Sequence, residues 1–427
     1  MEVAGRFDSK TSATPLDSRD GFVRYIRFAT IVTVLGYSLG YSTIGFGLLF
    51  IGAVWRVAMR RTLCWTRTSL DLPLAAFGAV LIASAAASQY HRLALGVTLM
   101  LIISSVIYYG AFAWLLETDP ASRPTLLRCW AVGALVAAVV GLCYSATTYV
   151  WVQSPDHFEH ARAQIPRGVG PNGLGTTLLL GGVLTLGLAL RARGLERAGW
   201  AAGSLLTLVG LVATGSRASL AGWIVASGYL VYRELRTHPR AMIAVTVLGV
   251  LFVAGIAAGT PQLANRLQHT LSDVAGNRVQ IWRTSFGMIA EHPLLGTGFG
   301  TFQTAYDQHR AAAMSPEPFA FNLWLNLVVE TGVLGVAAAL WVAIAAMLAW
   351  RREQQGDRES DQNARVPGDF GRPVVAALWV GLLVDQFADN TLFSISTSAA
   401  LWLLLALVLV PRTAHYRPRV GEIARST

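Results

Sequence analysis

The feature that most constrains this chain is its succession of long apolar runs, each broken by a short joint rich in arginine or glycine. A helix that crosses a membrane needs about 20 mostly apolar residues. Runs of this kind fall near 24–39, 42–58, 73–89, 94–116, 127–150, 173–190, 198–214, 218–232, 241–258, 322–349, 374–388 and 395–411. Composition agrees: 54% of the 427 residues are hydrophobic and 14% are charged, where a soluble domain carries about a quarter charged residues. An all-α integral membrane protein with about 12 transmembrane helices is therefore expected. Glycine and alanine recur through the runs, which suits close helix packing in lipid.

The net charge of +10 comes almost wholly from arginine, since Lys10 is the only lysine. Arginines at the ends of membrane helices account for it, and no nucleic-acid partner is expected. With the N-terminus inside, 26 of the 34 lysines and arginines fall on the cytoplasmic side, and eight fall outside: Arg92, Arg162, Arg167, Arg217, Arg266, Arg278, Arg283 and Arg310. Both termini are then cytoplasmic. The expected layout is a cytoplasmic tail at 1–22, helices 1–9 over 23–258, a large periplasmic loop at 259–321, helices 10–12 over 322–411 with a flexible cytoplasmic linker at 351–373, and a second tail at 412–427. Residues 151–172 form a smaller outer loop. Cys64, Cys129 and Cys143 have neither metal-ligand nor disulfide-framework spacing and read as packing residues.

Four stretches on the outer side carry polar chemistry. Arg167 to Gly175 (RGVGPNGLG) opens a helix, where glycines admit a ligand to the backbone and free N–H groups face an anion; the plainer reading makes Asn172 an N-cap. Thr214-Gly-Ser-Arg217 joins two apolar runs with almost no loop, so Arg217 is either a functional charge or a snorkelling helix end. Asn277 to Gly300 begins with Arg278, Trp282, Phe286 and Ile289 at helical spacing, which predicts an interfacial helix with Trp282 and Phe286 seated on the bundle. His292-Pro293 ends that helix, with His292 either a base or a capping side chain, and Gly296, Gly298 and Gly300 make a tight return. Last, Glu330 lies more than two turns into an apolar run, where an ionisable group faces the bundle interior and finds a partner.

Arg167, Arg217 and Arg278 share one side and are suited to clamp a phosphate or pyrophosphate, because guanidinium forks match phosphate oxygens and stay charged. Nucleotides are scarce outside the cytoplasmic membrane, whereas polyprenyl-pyrophosphate sugars are displayed there. The chain lacks an Asp-x-Asp pair, so no metal and no cofactor is required.

Taken together, Arg167–Gly175, Thr214–Arg217, Arg278-x-x-x-Trp282 through Pro293-Leu-Leu-Gly296-x-Gly298, and Asn322 through Gly335 resemble the O-antigen ligase and polymerase superfamily. The resemblance implies a multi-span, metal-independent glycosyltransferase of the bacterial inner membrane that faces the periplasm. It implies an undecaprenyl-pyrophosphate-linked oligosaccharide donor held by Arg167, Arg217 and Arg278. Asn172, Trp282 and Asn322 are further substrate-binding candidates. Ligases of the superfamily have a His-Asn pair followed by Gly-x-x-Gly, and the resemblance gives that His a part in acceptor activation. Here Asn322, Gly332 and Gly335 keep the spacing, but Phe321 stands at the His position and cannot accept a proton. Either Glu330, His292, His309 or Asp389 replaces it as base, or no strong base is used.

That departure favours a surface-polysaccharide polymerase whose acceptor is another lipid-linked glycan. The alternative is an O-antigen ligase acting on lipid A-core; other polysaccharide-assembly proteins are expected partners in either case. A transporter of a lipid-linked or anionic substrate is the alternative of another class. It would need ionisable groups along a pathway, and apart from Glu330 and Asp385 the spans carry few.

Overall fold

The computed structural model describes residues 19–62, 64–151, 162–166, 168–245, 247, 249, 278–312, 314, 316–359, 372–391 and 395–409. Every regular element among these residues is a helix. In chain order they are α1 (Arg19–Ser38), α2 (Ser42–Arg60), α3 (Asp71–Ala87), α4 (His91–Thr118), α5 (Ser122–Trp151), α6 (Pro171–Arg191), α7 (Gly194–Thr214) and α8 (Arg217–Leu235). A helical stretch over 239–245 is α9 and one over 278–291 is α10. Then come α11 (Phe302–His309), α12 (Leu323–Glu359), α13 (Arg372–Gln386) and α14 (Ile395–Leu409).

Among the described residues, six stretches of helix are long and apolar enough to cross a membrane: Ser42–Arg60, His91–Thr118, Ser122–Thr148, Pro171–Arg191, Gly194–Thr214 and Leu323–Arg352. The other predicted runs also coil into helix, but they are shorter or carry charge; α1 holds Asp20, Arg24 and Arg27, and α8 holds Arg233 and Glu234. Most of the predicted run at 241–258 lies outside the described residues, as do residues 1–18 of the predicted N-terminal tail, the predicted tail at 412–427 and residues 360–371 of the predicted linker; residues 19–22 already belong to α1. The apolar stretch of α12 has a mean hydropathy of 2.3 yet is only 17% buried within the protein. Such a surface is suited to lipid rather than water. By contrast, α6 is the buried axis of the bundle, packed among α5, α7, α8 and α13.

One break shapes the functional end. α12 is interrupted at Gly332, whose φ of 63° and ψ of −168° turn the backbone out of the helix. In an unbroken helix the N–H groups of Val333 and Leu334 would bond the carbonyls of Val329 and Glu330. Instead they donate to Pro293 (2.9 Å) and Leu294 (3.3 Å), while those carbonyls accept from Thr297 and Gly298 (2.9 Å each). The turn after α10 thus inserts into the break and satisfies all four backbone groups, as an apolar surround demands. Only glycine fits at the crossing: a Cβ on Gly332 would lie 2.2 Å from the Leu294 carbonyl, and one on Gly296 (φ 68°) 2.4 Å from that of Glu330. Ser84 on α3 also donates to the Glu330 carbonyl at 2.8 Å, fixing the turn to a third helix.

Candidate functional site

Three arginines from separate segments gather near Asp389: Arg162 and Arg278 act on its carboxylate, and Arg217 acts on both of them. α7 ends at Thr214, Gly215 turns left-handed at φ 63°, and Ser216 caps α8 by accepting from the Ser219 N–H. This sharp joint presents Arg217, exposed, at the first residue of α8. Arg278 is the first described residue of α10 and is half-buried. Arg162 donates from Nε to the Thr214 carbonyl (2.7 Å) and from Nη2 to Asn172 Oδ1 (2.8 Å).

Asp389, buried in the loop after α13, accepts from the Asn390 N–H at 2.7 Å and from the side chain of Asn172, and feels the charges of Arg278 and Arg162. Burial pushes its carboxyl above the usual aspartate value, against the pull of the Asn390 N–H, Arg278, Arg162 and Asn172. Burial likewise lowers the affinity of Arg162 and Arg278 for their protons, and the like charge of Arg217 adds to this for both. Both remain cations at any accessible pH. Among the described residues the three guanidinium groups outnumber Asp389 and the neighbouring Asp385, and Arg217 repels both of the others, a surplus of positive charge that an anion with several oxygens would relieve.

Arg162 is the member that the sequence reading did not single out, and Arg167 lies outside the described residues. The expectation that Asn172 caps α6 is overturned: Gly170 is the N-cap and Pro171 the first residue. The Asn172 side chain is free to join Arg162 and Asp389 instead.

The loop that carries Asp389 is held by a buried polar cluster. Asp385 Oδ1 accepts from Ser219 on α8 (2.7 Å), and Oδ2 from Thr176 on α6 and from Gln386 (2.8 Å each). Gln386 also donates to Thr391 Oγ1 (2.8 Å) and accepts from its N–H (3.1 Å). Every oxygen of the Asp385 carboxylate is therefore engaged, as a buried charge-bearing group requires.

α10 meets α12 at the segment 319–322. Trp282 donates its indole N–H to the Ala320 carbonyl at 3.0 Å. Asn322 caps α12 through the Leu325 N–H (3.0 Å) and donates Nδ2–H to the Phe387 carbonyl (2.8 Å), so its side chain joins α12 to the Asp389 loop. Phe321 has a φ of 52°, its ring centroid is 5.4 Å from Arg278 Cζ, and it packs edge-on against Phe319 at 4.8 Å.

The predicted stripe of α10 is only partly right. Ile281, Ser285 and Met288 are its fully buried face, with Trp282 and Ile289 on its shoulder, while Phe286 is 62% exposed rather than seated on the bundle. Glu330 is buried as expected, but it partners backbone: Oε1 accepts the Phe302 N–H at 3.0 Å at the start of α11. Its described contacts are with the 298–302 turn, with the Asn326 side chain of its own helix and with α3, not with the arginine cluster. His292 is exposed at the end of α10. His309 hydrogen-bonds the Ala305 carbonyl (2.6 Å) and Glu291 (3.0 Å), and these contacts raise its proton affinity. Neither histidine is joined to the cluster by a described contact. Among the described residues no group of three or more His, Cys, Asp or Glu side chains could hold a metal ion.

Fold and apolar surface thus define a multi-pass membrane protein with a cationic site near the start of its longest helix, where Phe321 lies against Arg278 and Asn322 bonds the Phe387 carbonyl. The family model described as O-antigen ligase matches residues 202–340. That match supports membership of the O-antigen ligase and polymerase superfamily and, at that level, a glycosyltransferase-type enzyme. It takes in Arg217, Arg278, Asn322 and the Gly332 break, whereas Arg162, Asn172 and Asp389 lie outside it. No curated protein matches the chain.

Proposed function

We propose that the protein is a periplasm-facing glycosyltransferase of the inner membrane that moves an oligosaccharide from undecaprenyl pyrophosphate to a sugar hydroxyl. The observation that carries this reading is the cluster of Arg162 and Arg278 beside the Asp389 carboxylate, with Arg217 close enough to repel both. Arg167 is retained as a fourth candidate for the same anion. The pyrophosphate gains negative charge as the glycosidic bond breaks, so fixed guanidinium groups stabilise the transition state more than the ground state. No metal is needed for that step.

In the transfer, the acceptor hydroxyl oxygen forms a bond to the anomeric carbon as the bond from that carbon to the pyrophosphate oxygen breaks. Undecaprenyl pyrophosphate leaves with the electron pair. The hydroxyl proton passes to Asp389, the carboxylate that shares the site with the arginines and whose proton affinity burial has raised. Asp389 is preferred to Glu330, whose oxygen caps α11, and to His292, which is exposed. Asn172, Trp282 and Asn322 then act mainly by holding the arginines, the aromatic segment and the Asp389 loop in register.

Phenylalanine at position 321 supports a polymerase that joins lipid-linked repeat units. A ligase acting on lipid A-core is the second reading, favoured by the description of the family that matches. A purified protein that lengthens a lipid-linked oligosaccharide in detergent, where there is no compartment to transport across, is the expected result. Arg217→Ala and Arg278→Ala should each abolish that product while remaining folded. Wild-type product from both variants would overturn the site.

A further inference from the structure

Residue 321 is pinned on both sides. Before it, Ala320 accepts from Trp282 at 3.0 Å and donates to Asn326 Oδ1 at 3.1 Å. After it, Asn322 caps α12 and bonds the Phe387 carbonyl. These contacts join α10, α12 and the loop that carries Asp389, and they hold Phe321 at a φ of 52°. That left-handed backbone suits glycine and is unfavourable for a bulky side chain. The ring that occupies it lies against Arg278, 5.4 Å from Cζ to centroid, inside the range of about 6 Å over which an aromatic face attracts a cation. Phe319, edge-on at 67°, keeps the ring from turning away.

An aromatic partner does something for an arginine that a carboxylate cannot. A carboxylate would take up the N–H donors and cancel the charge. A ring face attracts the cation through its quadrupole while leaving the N–H donors free for an incoming anion. We propose that Phe321 is a positioning residue whose ring holds the Arg278 guanidinium ready to bind the donor pyrophosphate. At the place where a ligase would carry a proton acceptor, this chain then carries a support for charge. The proposal rests on reading the arginine cluster as the pyrophosphate site, and its test separates the two.

Full-length protein in nanodiscs is titrated with farnesyl pyrophosphate, a short lipid pyrophosphate, and thermal stability is measured alongside. Phe321→Leu, which keeps bulk but loses the ring face, should weaken binding about fivefold, as expected for a cation–π contact of about 1 kcal/mol. Phe321→Tyr should bind as the wild type does. Phe321→Gly, which relieves the backbone, should bind as weakly as Phe321→Leu even if its melting temperature rises. In an Arg278→Ala background, Phe321→Leu should cause no further loss. Wild-type affinity in the Leu and Gly variants, with Arg278→Ala weakened, would overturn the role of Phe321 and leave the site standing. Wild-type affinity in Arg278→Ala, or no binding by the wild type, would overturn the site itself and the proposal with it.

Discussion

Arg162 gives the sharpest test of the anion site, because its place there rests on geometry and not on a motif. Its guanidinium donates to the Thr214 carbonyl and to Asn172, and its charge also acts on Asp389. A charge-assisted hydrogen bond is worth about 1.5–3 kcal/mol. A bare Coulomb figure of about 4 kcal/mol at 4 Å in a medium of dielectric about 20 sets an upper scale for one arginine on one phosphate charge. Two opposing effects reduce it: Arg162 is already held by neutral partners, and removing it relieves repulsion with Arg217. Arg162→Ala should therefore lower kcat/KM for the lipid-linked donor by about ten- to a hundredfold, a loss of about 1.4–2.8 kcal/mol. Arg162→Lys keeps the charge but loses the two-pronged geometry, and should fall between the two. The assay is initial-rate transfer by purified protein in detergent, with donor varied at fixed acceptor. If Arg162→Ala transfers at the wild-type rate, the surplus of positive charge at Asp389 is not a donor site. A loss equalled by Arg162→Lys would show that the hydrogen bonds, rather than the charge, are what matter.

Asp389→Asn should lower turnover by about a hundredfold or more if its carboxylate takes the acceptor proton. Because the folded protein raises the Asp389 pKa, the wild type should lose activity as pH falls through a midpoint above the ordinary aspartate value, and the Asn variant should lack that limb; an unchanged limb would assign the proton to another group. The same shift has a stability sign: a raised pKa makes its contribution below the unfolded value and loses it as pH rises through the folded one, so Asp389→Asn should be relatively more stable at neutral pH. Gly332→Ala should cost several kcal/mol, since left-handed backbone alone costs about 1–2 kcal/mol and the added carbon would lie 2.2 Å from Leu294 backbone. Gly47→Ala, with nothing within 4 Å, should be near neutral by thermal unfolding in detergent; equal melting temperatures for the two would refute the interlock.

The helical skeleton was legible because length and hydrophobicity set it: the joint at Thr214–Arg217, the end of α10 and the three-glycine return all fall where the sequence puts them. The phase of α10 was not, because hydrophobicity misled at two neighbouring residues. Ser285 is fully buried, and its hydroxyl bonds the Ile281 carbonyl of its own helix at 2.8 Å, so burial leaves it no unmet polar atom. Phe286 is left outside, where lipid rather than protein suits an apolar ring. Arg162 was invisible for a different reason: its partners are a carbonyl at Thr214 and a side chain at Asn172, and no local pattern announces a contact to a carbonyl 52 residues away. The role of Phe321 was equally hidden, since sequence reports the missing histidine but not the left-handed backbone or the guanidinium beside the ring.

The same logic explains why a glutamate sits deep in the apolar run of α12. Breaking the helix at Gly332 sends the Val333 and Leu334 N–H groups to the 293–294 carbonyls and draws the 297–298 N–H groups onto Val329 and Glu330. That inserted turn then starts a new helix, α11, whose first N–H groups would be orphaned in an apolar setting. Thr301, at its N-cap position, turns its hydroxyl back to the Gly298 carbonyl and provides no side-chain cap. The Glu330 carboxylate fills the vacancy by accepting from Phe302, and a negative group at a helix N-terminus also suits the helix dipole. Glu330 therefore answers a demand created two residues later in its own helix. The break, the turn and the glutamate form one device that ties the helix bearing Arg278 to the helix that Asn322 caps. This is why substituting a residue that touches no donor, such as Gly332, should still displace an arginine that does.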